Sequence, residues 1–399
     1  MKIFHSYPSW QLSGVGHWSL DLIKGLEGSG YDQRILLTGL EDENAGPWSV
    51  PEGVLCEDIR LPRGTPFHVQ WKSLATHLTF HAPCIYLPNF DFDRACAVGL
   101  LPPSVAVCAV LHSDEPVYYE NAGRLGGDWD GVVAVSEHIK NETARKHPGL
   151  AARLCCIPHG VELSTGRTAA VGGNHPLRLL YGNRLSQYQK KVFDLPLVMT
   201  ALKEMNVPFT LTVAGDGPDA AELADRFQKA GLSPQVTQTG RLSRKELRRV
   251  MAECDVFLLT SDFEGLPISL LEAMAEGCVP VCYRTESGVG EVIQSGRNGI
   301  LIPPGQPRSM AEALAELHRN RQNLRGLSES AVRTIEDRFS LSRMCAAYNT
   351  LFHELSRKAR AGQCRSRTGG VKPPPRFRLS NRILQKLRSC LGLRHTFNT

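Results

Sequence analysis

The sequence predicts an α/β chain of two doubly wound parallel-sheet domains facing each other across a cleft. Three observations predict it. Short continuous Val/Ile/Leu runs alternate with helical stretches through both halves, the pattern of parallel strands covered on both faces. A length of 399 residues makes two domains the natural division. Between the halves, Ser164 to Pro176 is rich in Gly, Thr, Ala and Ser and reads as a linker.

In chain order, strand-like runs in the first half fall at Lys2–Tyr7, Gln33–Thr38, Cys84–Pro88, Val105–Leu111, Val132–Ser136 and Leu154–Pro158. Helical stretches lie between them, among them Gly16–Leu26 and Glu137–His147. In the second half the runs are Leu177–Tyr181, Phe209–Ala214, Val236–Thr239, Val256–Thr260, Val279–Tyr283 and Gly299–Ile302. Phe339–Leu355 is a final amphipathic helix. Doubly wound sheets take ligands at the carboxyl ends of their strands, so two facing sheets place the site in the cleft.

Composition narrows the class. Hydrophobic content of 42% and charged content of 22% describe an ordinary globular chain with ample core. The longest apolar run, Val105–Leu111, is strand length, so no membrane span is expected. The N-terminus enters a strand directly, without the apolar stretch of a signal peptide. Twelve scattered cysteines contain no Cys-x2-Cys pair, which argues for reduced thiols in a cytoplasmic protein and against a zinc site. The net charge of +6 belongs to a tail: residues 361–399 carry nine Lys or Arg and no Asp or Glu, leaving the rest at 37 basic against 40 acidic. Nucleic acid is therefore an unlikely partner, since the body is not basic.

The most informative stretch is Ser261–Gly277. A buried strand, Val256–Thr260, feeds an acidic turn and then a helix, with Pro267 suited to the first helical turn and Gly277 to the end. Glu264 lies in the turn and Glu272 about two turns into the helix. A helix start with free amides suits an anion, and carboxylates suit sugar hydroxyls. Two glutamates eight apart equally describe a solvated amphipathic helix. Glu264-x7-Glu272 followed by Ala-Met-Ala-x-Gly-x-Val-Pro-Val nonetheless resembles the donor-site signature of retaining glycosyltransferases of the GT-B fold, family 4, built from two Rossmann-like halves.

Further motifs carry the resemblance in the family's order. Gly14-Val15-Gly16 sits between the first strand and first helix; a full dinucleotide fingerprint would need glycine where Ser19 stands, which disfavours a nicotinamide dehydrogenase. No Gly-x4-Gly-Lys-Ser/Thr occurs, which disfavours a P-loop enzyme. His112 closes the Val105–Leu111 strand. Ser136-Glu137-His138 and Ile157-Pro158-His159-Gly160-Val161-Glu162 read as architecture, with Ser136 a helix N-cap. Gly182-Asn183-Arg184-Leu185 with Gln189-Lys190-Lys191 resembles the Gly-Arg-Leu…Gln-Lys-Gly element, and Gly215-Asp216-Gly217-Pro218 and Gly240-Arg241-Leu242 resemble two further loops.

The resemblance implies roles. Arg184 and Lys190 (taken over Lys191) would neutralise the leaving nucleoside diphosphate, helped by the helix start at Gly265, Leu266 and Ile268. Glu264 and His112 would orient the sugar, and Glu272 would bond the ribose. Gly14, Gly16, Arg241 and Leu242 would line the donor site. No metal and no cofactor are expected; the nucleotide-diphospho-sugar is a co-substrate, and the acceptor is a glycan or a lipid-linked sugar. The implied organisation is an acceptor-side domain over 1–165, a donor domain over 177–338, a helix over 339–358 crossing back to the first domain, and a basic tail over 361–399. Within the tail, Lys372–Arg376 is an extended spacer, and 380–394 is either disordered or an amphipathic segment for an anionic membrane surface, which would make the protein peripheral on the inner face. Two other readings stay open: a sugar-nucleotide epimerase and a non-catalytic binding protein of the same fold.

Overall fold

The computed structural model describes residues 1–11, 13–41, 49–89, 91–163, 175–367 and 370–371. The first sheet contains β1 Lys2–Tyr7, β2 Asp32–Leu37, β3 Cys56–Asp58, β4 Cys84–Leu87, β5 Val105–Leu111, β6 Gly131–Ala134 and β7 Leu154–Cys156. All its pairings are parallel, in the order β3-β2-β1-β4-β5-β6-β7. Its helices are α1 Gly14–Gly25, α2 Phe67–Phe80, α3 Pro116–Leu125 and α4 Glu137–Lys146.

The second sheet contains β8 Leu177–Gly182, β9 Phe209–Ala214, β10 Val236–Gly240, β11 Val256–Leu259, β12 Val279–Tyr283 and β13 Ile300–Ile302. It too is parallel, in the order β10-β9-β8-β11-β12-β13. Its helices are α5 Gln187–Lys190, α6 Asp194–Glu204, α7 Ala220–Lys229, α8 Arg244–Glu253, α9 Ile268–Ala275, α10 Val289–Val292, α11 Pro307–Arg319 and α12 Arg321–Arg338. Strand order reverses between β1 and β4 and again between β8 and β11, and the crevices at those two points are where such sheets receive ligands.

Burial explains why the runs became strands. Every residue of β4, β5, β6, β11 and β12 is buried, so only continuous apolar sequence fits there. The edge strand β3, with sequence Cys-Glu-Asp, has no such run and was not expected. α13, Leu341–Arg360, lies against α1, β4 and β5 of the first sheet. Tyr348 and Phe352 are fully buried there, worth about 1.5–3 kcal/mol for each large side chain taken out of water.

Two details correct the sequence reading. Pro267 is the N-cap of α9 and not part of its first turn: the amides of Leu270 and Leu271 both bond to its carbonyl, and the helix starts at Ile268. The basic tail expected from residue 361 does not begin there. The Arg365 amide donates to Asp130 Oδ1 at 2.7 Å, and the Arg367 guanidinium donates to Asp130 Oδ2 at 2.6 Å and to the carbonyls of Pro102 and Val105. The Arg367 and Asp130 side chains are 1% and 2% exposed, so this segment is docked on the first domain. Segment 380–394 and most of the 164–176 linker lie outside the described residues. Among the described residues, no helix is long and apolar enough to cross a membrane.

Candidate active site

The second-sheet reversal point is built by stitching two loops together. The short helix α5 leaves β8 and ends at Lys191, whose φ of 46° turns the chain sharply. Thr260 Oγ1 donates to the Lys190 carbonyl (2.7 Å), the Asp262 amide to the Gln189 carbonyl (2.9 Å), and Gln189 Nε2 to the Phe263 carbonyl (3.0 Å). Those bonds bring Lys190 Nζ to 2.5 Å from Glu264 Oε1, with side chains only 12% and 7% exposed. Lys191 turns the other way, to Asp262 at 2.7 Å on a more open surface. α9 closes with Gly277 at φ 87°, its amide on the Met274 carbonyl and that of Cys278 on the Ala273 carbonyl, a Schellman ending.

The first sheet meets this turn at Gly265. A Cβ there would collide with the His112 carbonyl, so only glycine lets the strand end of β5 touch the turn that carries Glu264. Gly14 also faces α9, but a Cβ there would sit in ordinary contact, 3.8 Å from Ile268 Cδ1. The His112 ring stacks on His159 (5.6 Å, 9°), stands edge-on to Trp18 (4.8 Å) and bonds through Nε2 to Asn89 Oδ1 at 3.2 Å. Burial, with His159 adding, holds His112 well below the usual histidine range, and burial pushes His159 down to about 3. Both rings are neutral at neutral pH, so they serve as hydrogen-bonding groups and not as cations.

Glu272 is buried on α9, and its Oε1 accepts from Arg244 Nε at 2.6 Å. The two Nη atoms of the same guanidinium reach Asp21 on α1 at 2.5 and 2.8 Å. Burial raises the pKa of Glu272 and of Asp21, and Arg244 opposes it in both. Arg244 escaped the sequence reading. One signal was available: a basic residue in the first turn of α8 opposes the helix dipole and needs an acidic partner. A second bridge joins the halves nearby, where Glu291 accepts the amides of Glu137 and His138, both at 2.9 Å, at the start of α4. Ser287 links Ser136 (2.9 Å) to the Gly265 carbonyl (3.0 Å).

Not every expected residue converges. Lys190, Glu264, Gly265, Leu266 and Ile268 surround one turn, with His112 and Gly14 facing it. Arg184 and Arg241 stand exposed on the loops after β8 and β10, with Leu242 half-buried beside Arg241. Gly16 lies against the Gln11 carbonyl, a contact that shapes its own loop. Ser19, where a dinucleotide site would want glycine, is buried and bonded to His5 (3.0 Å) and Tyr7 (2.6 Å). Among the described residues, the group that could hold a metal is Glu57, His77 and His81, on the first domain away from this turn.

Comparison with known proteins agrees with this architecture. Residues 173–334 match the family described as glycosyl transferases group 1. The amylovoran biosynthesis glycosyltransferase AmsK of Erwinia amylovora is 31% identical over 193 residues, covering 47% of this chain and 46% of that protein. The putative colanic acid biosynthesis glycosyltransferase WcaL of Escherichia coli is 34% identical over 147 residues, covering 35% and 36%. The chain thus spans less than half the length of either curated relative. The lipopolysaccharide outer core galactosyltransferase WaaB superposes with a TM-score of 0.69 at 19% identity, over 89% of this chain and 100% of that one. Anabaena HepE, solved with UDP and glucose, gives 0.70 at 16% identity over the same shares. The fold is that of the GT-B glycosyltransferases, and the second half of the chain matches the glycosyl transferases group 1 family.

Proposed function

We propose that the protein is a retaining, family 4 glycosyltransferase. It moves a sugar from a nucleotide-diphospho-sugar to a glycan or lipid-linked acceptor in cell-surface polysaccharide or glycolipid synthesis. The observation that carries the reading is the Lys190–Glu264 pair at the second-sheet reversal point, pressed through Gly265 against the strand end that bears His112.

Each role follows from chemistry. Departure of a nucleoside diphosphate builds negative charge on the β-phosphate. Lys190 supplies a nearly buried ammonium, Arg184 a planar fork from the neighbouring loop, and α9 its amino end, so that neither a metal nor a cofactor is required. Glu264 Oε1 is held by Lys190, leaving Oε2 to accept a sugar hydroxyl beside the positive charge that grows at the anomeric carbon. A neutral His112, held by Asn89, donates or accepts a single hydrogen bond to the sugar. Glu272, oriented by Arg244, takes the ribose diol. The descriptions of the relatives, for colanic acid and amylovoran biosynthesis, support a role in polysaccharide synthesis.

The test is to incubate the protein with UDP-, GDP- and ADP-sugars and a membrane glycolipid extract, following free nucleoside diphosphate and the anomeric coupling of the product. Acceptor-dependent release with an α-linked product from an α-donor is expected. Conversion of the sugar nucleotide without acceptor would favour an epimerase. Binding without turnover would favour the non-catalytic reading.

A further inference from the structure

On the first domain, at the end of the sheet away from the cleft, His77 lies in the last turn of α2 and His81 caps that helix four residues later, which keeps both imidazoles on one side of the helix end. The edge strand β3 brings Glu57 to them. Glu57 Oε2 lies 2.9 Å from His77 Nε2 and 3.3 Å from His81 Nε2, and the three ligand atoms all fall within 4.8 Å of one another. A tetrahedral zinc ion with bonds of about 2.0–2.1 Å holds neighbouring ligand atoms about 3.4 Å apart, so the three are spaced to close on one ion with little movement.

Two further observations point to a ligand. His77 Nε2 is buried and, despite its closeness to Glu57, makes no hydrogen bond of acceptable angle. Arg34 Nη1 holds Glu57 Oε1 at 2.8 Å and is itself clamped by Asp32, so Oε2 is left turned to the two imidazoles. That is the outer-shell support a ligating carboxylate receives in metal sites. His77 also lines a surface groove with Ile59, Val69, Lys72, Thr76 and Phe80, which leaves one side of the cluster open to solvent.

We propose that Glu57, His77 and His81 form a divalent transition-metal site of His2Glu type, suited to Zn2+, that fastens the edge strand β3 to α2. Imidazole and carboxylate ligands in a three-plus-open set favour zinc over hard cations such as Mg2+ or Ca2+. Lys2 is the competing group. It donates to His81 Nδ1 at 2.9 Å, whereas ligation through Nε2 would put the ring proton on Nδ1. Lys2 must then release His81 and turn to Glu57 Oε1, already 3.9 Å away. A scan for cysteine spacing misses this site because its sequence signature is His-x3-His at the end of a helix.

The experiment titrates the EDTA-treated full chain with Zn2+ by calorimetry and with Co2+ by visible absorption, for wild type, His77→Gln, His81→Gln and Lys2→Met. One equivalent of Zn2+ is expected, with tetrahedral Co2+ bands and a raised melting temperature. Each histidine variant loses affinity by about 100-fold or more, while melting where the metal-free wild type melts, which separates a lost metal from a lost fold. Lys2→Met binds several-fold more tightly. Absence of stoichiometric binding overturns the proposal, and so does binding that survives both histidine substitutions, since the thiols would then be the ligands.

Discussion

Asp21 and Arg244 stand 223 residues apart in the sequence and meet across the cleft, the guanidinium gripping the carboxylate with two bonds of 2.5 and 2.8 Å. The third nitrogen of the same guanidinium holds Glu272. One arginine thus couples the first helix of one domain to the residue proposed to hold the ribose in the other.

Arg244→Met leaves two buried carboxylates facing each other, a loss of about 3 kcal/mol by the usual cost of breaking a largely buried pair. Asp21→Asn keeps the Arg244–Glu272 bond and costs less. The deficit of Arg244→Met also depends on pH. Burial already raises both carboxylates above their unfolded values, and removing Arg244 raises them further. A carboxylate raised in the folded state loses stability as pH climbs from its unfolded to its folded pKa. The variant's deficit is therefore largest at pH 8 and shrinks at pH 5, as melting curves at the two values will show.

The buried histidines give the opposite slope. His5, pushed down to about 4 by burial, and His159, pushed down to about 3, are neutral when folded and titrate near 6.5 when unfolded. Their stability is complete above pH 6.5 and drains as pH falls toward those folded values, at about 1.4 kcal/mol per pH unit for each ring. Melting temperature should drop steeply between pH 6.5 and 5. His5→Gln with His159→Gln should flatten that slope.

Gly265→Ala forces a Cβ into the His112 carbonyl and must part the two strand ends. Overpacking of this kind costs about 1–3 kcal/mol, and transferase activity should fall far more than the melting temperature does. Gly149→Ala, at a surface glycine with open space around it and no positive φ, controls for glycine loss alone.

Truncation separates the docked segment from the tail beyond it. Ending the chain after residue 371 keeps Arg367 on Asp130 and should leave the melting temperature unchanged. Ending it after residue 361 removes the Arg367–Asp130 pair and the cover over Asp130, and should lower the melting temperature. Calorimetry of the two truncations decides the matter.

Much of the fold was legible because buried parallel strands allow little but apolar residues. Lys2–Tyr7, Val105–Leu111, Phe209–Ala214 and Val279–Tyr283 fall where expected to the residue. β3 was not legible, since a three-residue edge strand with a charged centre carries no pattern. Within the site, local motifs indicated Lys190, Glu264 and Glu272, because a turn and a helix start write their needs into adjacent residues. Arg244 with Asp21, Glu291 of α10 with the first amides of α4, and Arg367 with Asp130 depend on tertiary placement across long stretches of chain. Composition marked residues 361–367 as part of a charged tail, and only the carbonyls of Pro102 and Val105 explain why Arg367 is buried.

The central claim is a nucleotide-sugar site at the Lys190–Glu264 turn, and thermal unfolding with UDP, GDP, ADP and their sugar conjugates tests it most directly, on wild type and Arg184→Ala. A ligand at 100 times its dissociation constant adds about 2.7 kcal/mol, a rise of a few degrees for a chain of this size. One nucleotide series should raise the melting temperature of the wild type and leave Arg184→Ala unmoved, while the unliganded proteins melt together. No shift from any nucleotide, or an equal shift in both proteins, would contradict the assignment.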